Sequence, residues 1–266
     1  MIPTVNFHTH SIYCDGKNTI EDVVIEAIKK SFTELGFSGH GYTTFDEGCC
    51  MSKEDTKRYI EEINQLKIKY KNDIKLFCGI EADYYTIFNY DDFDYVIGSV
   101  HYVEKDGVYH FCDFSKDHLI QTVNKGWNGD IYAFIEDYFL LVSDVVNKTN
   151  CDIIGHFDLV RKYNEDGSLF SEDNPRYIQA ATDAAKKLKS TNRVFEINTG
   201  AICRGYTTNP YPSDYIMELL NGSSVVISSD CHEKSKLDFW FKEAAERAQK
   251  HNLTVVNSMS EIKKFR

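Results

Sequence analysis

The sequence predicts an α/β fold in which a parallel sheet closes or strongly curves and carries its helices on the outside. Three observations lead there. Short apolar, β-branched runs alternate with amphipathic helical stretches through nearly the whole chain, the order that builds parallel strands joined by crossover helices. These runs have the length and apolar character of strands buried on both faces. A His, Glu or Asp stands at or just beyond the end of run after run, and closed barrels of this kind carry their chemistry at the C-terminal ends of their strands.

The first run ends in Asn6-Phe7-His8-Thr9-His10. Side chains two positions apart on a strand share a face, so His8 and His10 form a metal-ligand pair. A turn-rich loop holding Asp15 follows, and Thr19-Ile20-Glu21-Asp22 opens a helix with capping-box spacing. Ile20, Val23, Val24, Ala27 and Ile28 make its single apolar stripe. A short segment from residue 34 delivers His40 between Gly39 and Gly41, and residues 52–71 read as the second helix. The strand 74–80 then ends in Glu81, and the run 95–100 ends in His101.

Residues 102–111 read as a hairpin turning at Asp106-Gly107, inserted into the alternating pattern. A long, strongly apolar helix is expected over 129–147, and the strand 151–155 ends in His156, with Asp158 and Arg161 just beyond. Pro175 sits early in the next helix, where its missing N–H does no harm. The strand 193–198 carries Glu196 and Asn198 on one face and precedes the loop that holds Arg204. A helix over 213–220 leads to the strand ending in Asp230-Cys231-His232, which repeats the one-residue spacing of the first pair. An amphipathic helix around 237–251 and a short terminal segment complete the chain.

Composition narrows the class. At 266 residues and 42% hydrophobic, with four prolines and no low-complexity tract, residues 1–266 are expected to form a single domain. A formal net charge of −11 speaks against a nucleic-acid surface, which needs clustered Lys and Arg. No apolar window approaches the roughly 20 residues that span a bilayer, and no signal-like segment follows Met1. The expectation is a soluble cytoplasmic protein with no membrane or nucleic-acid partner. Eight cysteines without paired spacing are expected to be reduced thiols, with Cys14 and Cys231 beside candidate ligands.

His8, His10, His40, His101, His156 and His232, with Asp15, Glu81 and Asp230, exceed what one ion needs, since a catalytic zinc uses about three protein ligands. Two or three divalent ions are therefore implied, and zinc, iron and manganese all suit mixed imidazole and carboxylate donors. A carboxylate such as Glu81 can bridge two ions, an arrangement suited to displacement at phosphorus. Hydrolysis of a phosphate ester is the leading reaction class. One member of that class is a phosphoesterase acting on nucleotides or nucleic-acid ends, which predicts a basic groove, and a rival to the class is a non-catalytic metal-binding module, which would normally have lost ligands. Metal-dependent amidohydrolysis is a further rival, less suited to paired arginines.

The set His8-Thr-His10, Asp15, His40, Gly79-Ile-Glu81, Gly98-Ser-Val-His101, Gly155-His156 and Ser228-Ser-Asp-Cys-His232 resembles the polymerase-and-histidinol-phosphatase (PHP) superfamily over almost the full chain. His156-Phe-Asp-Leu-Val-Arg161-Lys and Glu196-Ile-Asn-Thr-Gly-Ala-Ile-Cys-Arg204-Gly are similar to its stand-alone histidinol-phosphate phosphatases. The resemblance implies a distorted (β/α)7 TIM-like barrel with a trinuclear centre. His8, His10, Glu81 and Asp230 would hold the first ion, Glu81, His101 and His156 the second, and Asp15, His40 and His232 the third. It also implies Arg161 and Arg204 as catalytic phosphate clamps, a task that bidentate guanidinium donors suit. The implied reaction takes a small-molecule phosphate monoester, L-histidinol phosphate, to L-histidinol and phosphate, by in-line attack of a metal-bound hydroxide. Tyr42, Asp83, Glu104 and Tyr206 neighbour these positions in sequence and are weighed for recognition of the imidazole and amine. Glu196 and Asn198 are candidate supports for the metal ligands, and His110, His118 and His251 lie outside the pattern.

Overall fold

The computed structural model describes residues 2–265. Its strands are β1 (Val5–Asn6), β2 (Glu34–Phe37), β3 (Lys75–Asp83), β4 (Tyr95–Ser99), β5 (Tyr102–Lys105), β6 (Val108–Phe111), β7 (Ile153–Ile154), β8 (Val194–Asn198), β9 (Ser224–Ser228) and β10 (Thr254–Val255). The helices are α1 (Ile20–Lys29), α2 (Lys53–Lys69), α3 (Lys116–Gly126), α4 (Ile131–Thr149), α5 (Pro175–Lys189), α6 (Gly200–Cys203), α7 (Asp214–Leu219), α8 (Phe241–Lys250) and α9 (Met259–Ile262). One parallel sheet runs in the order β1-β2-β3-β4-β7-β8-β9-β10, and β5 and β6 form a separate antiparallel hairpin.

The sheet curls until its ends meet. Thr9 bridges Cys231 in parallel, His10 N donates to Cys231 O at 2.9 Å, and Cys231 N donates to His8 O at 3.1 Å. The chain just beyond β1 thus lies beside the chain just beyond β9, which gives the distorted barrel that the resemblance implies. Seven strands follow that expectation, and the short β10, which pairs only at Ser224 and Val225, adds an eighth.

Strand alternation divides the core in two. Val5, Phe7, Tyr95, Ile97, Ile153, Val194 and Val226 pack together inside the curl, whereas Leu76, Cys78, Ile80, Val96, Ile154, Phe195, Val225 and Ile227 pack outward against the helices. Continuing the inward register along β3 leads from Gly79 to Glu81, along β8 from Val194 to Glu196 and Asn198, and beyond β9 from Val226 to Asp230. The lower interior is therefore apolar, and its upper layer carries the polar groups. Tyr95 occupies the space beside Gly36 and Gly79, where a Cβ would come within 2.4 and 2.2 Å of its ring or hydroxyl.

Local chemistry sets the helix starts. Thr19 and Ser52 accept from Asp22 N and Asp55 N, Asp130 accepts from Tyr132 N and Ala133 N, and Pro175 occupies the first turn of α5 behind Asn174. Three expectations shift. Residues 34–37 form the strand β2, and α3, which the sequence reading leaves unassigned, buries only Leu119, Thr122 and Val123. The last amphipathic helix begins at Phe241 because Trp240 adopts a left-handed φ of 62°. No helix among the described residues is long and apolar enough to cross a membrane.

Candidate metal centre

All nine predicted ligands gather at the C-terminal rim of the sheet, around Glu81. This carboxylate is 1% exposed, and five imidazoles converge on it: His8 Nε2 at 3.1 Å, His10 Nε2 at 3.6 Å, His40 Nδ1 at 3.0 Å, His101 Nε2 at 3.4 Å and His156 Nε2 at 2.8 Å. His10 Nε2 also lies 3.1 Å from Asp230 Oδ1, and His232 Nε2 lies 3.0 Å from Asp15 Oδ2. The loop carrying Asp15 is tied to the opposite end of the chain by Lys17 N, which donates to His232 O at 2.8 Å.

Three sets of donors lie close enough together to hold an ion each: His8, His10 and Asp230; His10, Asp15, His40 and His232; and His40, Glu81 and His101. The partition differs from the implied one in three places, the first being that Glu81 is not in the set of His8, His10 and Asp230. His40 stands beside His101 where His156 was expected, and His10 joins two sets. His156 instead directs Nε2 at Glu81 Oε1, which also accepts from Ser99 Oγ at 2.7 Å. Cys14 Sγ lies 3.4 Å from His10 Nδ1 and Cys231 Sγ faces Glu233 O, and neither belongs to a set.

Donor chemistry and protonation both fit divalent cations. Nε2 of His8 and of His10, Oε2 of Glu81 and Nδ1 of His156 are buried without a hydrogen-bond partner among the described residues, which is costly unless another group satisfies them. Burial opposes charge on Glu81, yet His8, His40 and His101 hold its pKa well below the usual carboxylate value. Burial likewise opposes charge on Asp230, where Arg204 and His8 prevail and keep it low. His10 is lowered to about 3 by burial and by the neighbouring His232 and His40. His8 is raised, because Glu196, Glu81 and Asp230 outweigh its burial. The pocket thus accumulates negative charge that metal cations would neutralise in place of protons.

Several polar groups position these side chains. Glu196 Oε1 lies 2.6 Å from His8 Nδ1, and its other oxygen accepts from His156 N at 2.8 Å and Asn198 Nδ2 at 3.1 Å. Asp230 adopts a left-handed φ of 47°, a strained conformation for a non-glycine residue. Gly200 lies against it, and a Cβ there would approach the Asp230 Cβ to 2.9 Å.

Seven of the nine donors, all but His8 and His10, line a cavity of about 360 Å³ whose walls include Asp46, Phe111, Asp113, Lys162, Arg204 and Tyr206. Arg204 Nη2 donates to Asp230 Oδ2 at 2.9 Å. Arg161 is held by two acidic neighbours. Its side chain is 9% exposed and lies 2.9 Å from Glu172 and 3.4 Å from the fully buried Asp158. The next residue, Lys162, supplies a cation to the cavity wall.

Lys162 and Asp113 escape the sequence reading because no strand end or spacing marks them. Of the neighbours weighed for recognition, Tyr206 lines the cavity. Asp83 accepts from His101 N at 2.7 Å, Glu104 accepts from Gly107 N in the hairpin turn, and Tyr42 lies beneath Lys53. His110 packs on Trp127, His118 packs on Phe111 and Phe114, and His251 faces Asp214.

The chain is similar over most of its length to known proteins. The chain is 27% identical over 253 residues to a Schizosaccharomyces pombe protein described as "Probable histidinol-phosphatase", covering 86% of this chain and 80% of that one. It is 24% identical over 266 residues to the histidinol-phosphatase of Bacillus subtilis, covering 90% and 97% of the two chains. The fold is similar, with a TM-score of 0.69 at 22% identity and 95% coverage of each chain, to the Lactococcus lactis histidinol phosphate phosphatase crystallised with zinc, L-histidinol and phosphate. A family model described as the PHP domain matches residues 6–200, a span that begins at the first histidine pair and takes in Glu81, His101, His156 and Glu196, so this chain belongs to the PHP domain family.

Proposed function

We propose that this chain is a metal-dependent phosphomonoesterase that hydrolyses L-histidinol phosphate to L-histidinol and phosphate, a step of histidine biosynthesis. One observation carries the reading: His40, His101, His156 and His232, with Asp15, Glu81 and Asp230, line the same cavity as Lys162 and Arg204. Relatives spanning most of the chain and named histidinol-phosphatases support the substrate.

Three donor sets argue for three ions, with His8, His10 and Asp230 holding one, Glu81, His101 and His40 or His156 a second, and Asp15, His40 and His232 a third. Zinc, iron and manganese suit these donors equally. Such ions supply Lewis acidity, neutralising phosphoryl oxygens and acidifying water for attack on phosphorus.

The chain's own residues perform the remaining tasks. Arg204 presents a guanidinium at the rim of the centre, and Lys162 presents an ammonium across the cavity, so both can bind phosphate oxygens and the charge that builds on them in the transition state. Arg161 acts one step removed. Its ion pair fixes Asp158, which accepts Ser213 N at 2.9 Å and so ties the segment after β7 to the segment before α7. Glu196 holds the His8 ring in one orientation. All eight cysteines are unpaired, which fits the reducing cytoplasm.

The test is phosphate release by metal-reconstituted protein from L-histidinol phosphate, nucleoside monophosphates and single-stranded DNA. Preference for L-histidinol phosphate is expected. Preference for either nucleotide substrate would overturn the assignment.

A further inference from the structure

We propose that Asp113 is the specificity-determining counter-charge for the ammonium group of the substrate, and that the ion pair Asp113–Lys162 recognises a molecule carrying both an amine and a phosphate. This rests on the phosphomonoesterase reading and adds to it the identity of the amine site.

Elimination leads to Asp113. The carboxylates on the cavity wall are Asp15, Asp46, Glu81, Asp113 and Asp230. Asp15, Glu81 and Asp230 belong to the metal-binding sets. Asp46 is committed to local structure, accepting from Gly48 N at 2.9 Å, Cys49 N at 3.2 Å and Tyr102 Oη at 2.6 Å. Asp113 keeps a side chain 21% exposed to the cavity, with Lys162 Nζ 2.9 Å from its Oδ2. It is the wall carboxylate outside the metal-binding sets that already holds a cation, Lys162, and it can share its charge with a second.

The chain fixes this group in place by its backbone. Lys162 Nζ donates to the Asp113 carbonyl at 2.9 Å, and Tyr163 Oη reaches the carbonyls of Asp113 and Phe114 at 2.8 Å each. Those contacts hold the segment after β6 against the segment after β7. Phe111, Phe114 and Tyr206 stand around it on the same wall, and aromatic faces favour cations and flat rings. Lys162 already lies over the Tyr206 ring, 5.0 Å from its centre.

The pairing has a consequence for selection. An amino-alcohol phosphate carries a cation and an anion a few atoms apart. The pocket carries the opposite pair, Asp113 and Lys162, with two of the three ammonium hydrogens directed at Asp113. A ligand with both charges can engage both partners. A phosphate ester without the amine engages Lys162 and leaves Asp113 to oppose the phosphate, so it should bind less well.

The test compares wild type and Asp113→Asn, both metal-loaded, on L-histidinol phosphate and on the same imidazolyl propyl phosphate lacking the amine. The wild type should favour the amine-bearing ester. The variant should lose about tenfold or more of that preference, chiefly through KM, because a charge-assisted hydrogen bond disappears. Calorimetry supplies a readout without turnover: L-histidinol should bind the variant more weakly, whereas inorganic phosphate should not. Asp113→Glu should recover part of the preference. Equal losses on both esters, or weakened phosphate binding alongside weakened L-histidinol binding, would mark a purely structural role and overturn the proposal, as would an unchanged ratio. If the wild type ignores L-histidinol phosphate, the histidinol assignment fails by itself, and phosphoethanolamine against ethyl phosphate then decides the role of Asp113 by the same ratio.

Discussion

Glu196 Oε1 lies 2.6 Å from Nδ1 of His8, and both side chains are fully buried. A carboxylate there fixes the ring so that Nε2 faces Glu81 and Asp230. Glu196→Gln keeps the shape but removes the charge that steadies the imidazole. Metal affinity measured by chelator competition should fall about 10- to 100-fold, with the far-ultraviolet circular dichroism unchanged. Undiminished affinity would show that His8 needs no orienting partner.

Adjacent residues separate stability from catalysis. Lys162→Ala removes a cation from the cavity wall and should lower kcat/KM for phosphate esters by at least tenfold, with a smaller drop in melting temperature than Arg161→Ala because its partner Asp113 keeps a 21% exposed side chain. Arg161→Ala leaves Asp158, which is 0% exposed, without its counter-charge. Breaking such a buried pair typically costs about 3–5 kcal/mol, so thermal denaturation should show a drop of many degrees. If instead Arg161→Ala keeps its melting temperature and loses turnover, its guanidinium reaches the substrate.

The metal sets predict a ligand-dependent stability. Buried donors without partners, such as His8 Nε2 and His10 Nε2, destabilise the metal-free chain, and any ion that binds only the folded state stabilises it by mass action. Protein stripped with a chelator should melt lower, and zinc or manganese should raise the melting temperature with concentration. Substituting His10, which belongs to two sets, should blunt that response more than substituting His101. Equal responses in the two variants would contradict the shared role of His10.

How much of this was legible beforehand follows from how each residue is placed. Glu81 lies two residues before the end of β3, His101 and Asp230 lie just beyond β4 and β9, and all three keep the inward register, so pattern and period located them. Glu196 and Asn198 showed the same alternation. Asp113 and Lys162 lie on connecting segments whose mutual position depends on Tyr163 Oη reaching the Asp113 carbonyl across 50 residues. No local periodicity reports such a contact. For Arg161 and Lys162 the motif marks the segment, but which of the two side chains faces the cavity depends on the turn Leu159–Arg161. β10 has two residues, too few for a periodic signal.

Tight packing under the centre makes a separate prediction. A Cβ on Gly79 would fall 2.2 Å from Tyr95 Cζ, and Tyr95 Oη reaches the carbonyls of Phe7 and Phe37 at 2.5 and 3.0 Å. Gly79→Ala therefore forces the ring from its place. Overpacking of this kind costs about 1–3 kcal/mol, and urea unfolding should register it. The same substitution at Gly167 has the opposite environment, with nothing within 4 Å but a φ of +67°, so its smaller cost should come from backbone strain alone.

Asp214 gives the pH dependence away from the centre. Burial raises its pKa, but Arg247, Lys250 and His251 outweigh it and hold the group below its ordinary 3.8. Arg247 Nε and His251 Nε2 each lie 3.1 Å from Oδ1. A carboxyl with a depressed folded-state pKa contributes stability that is fully present above the unfolded value, and that contribution is lost as pH falls through the lower folded value. The side chain is 39% exposed, so solvent screening limits the contribution to about 1 kcal/mol or less. Asp214→Asn should therefore destabilise the protein at pH 7, and the gap between variant and wild type in urea midpoint should narrow as pH drops below about 3.8. A gap that stays constant from pH 7 to pH 3 would assign the loss to the helix start at Asp214 and not to its charge.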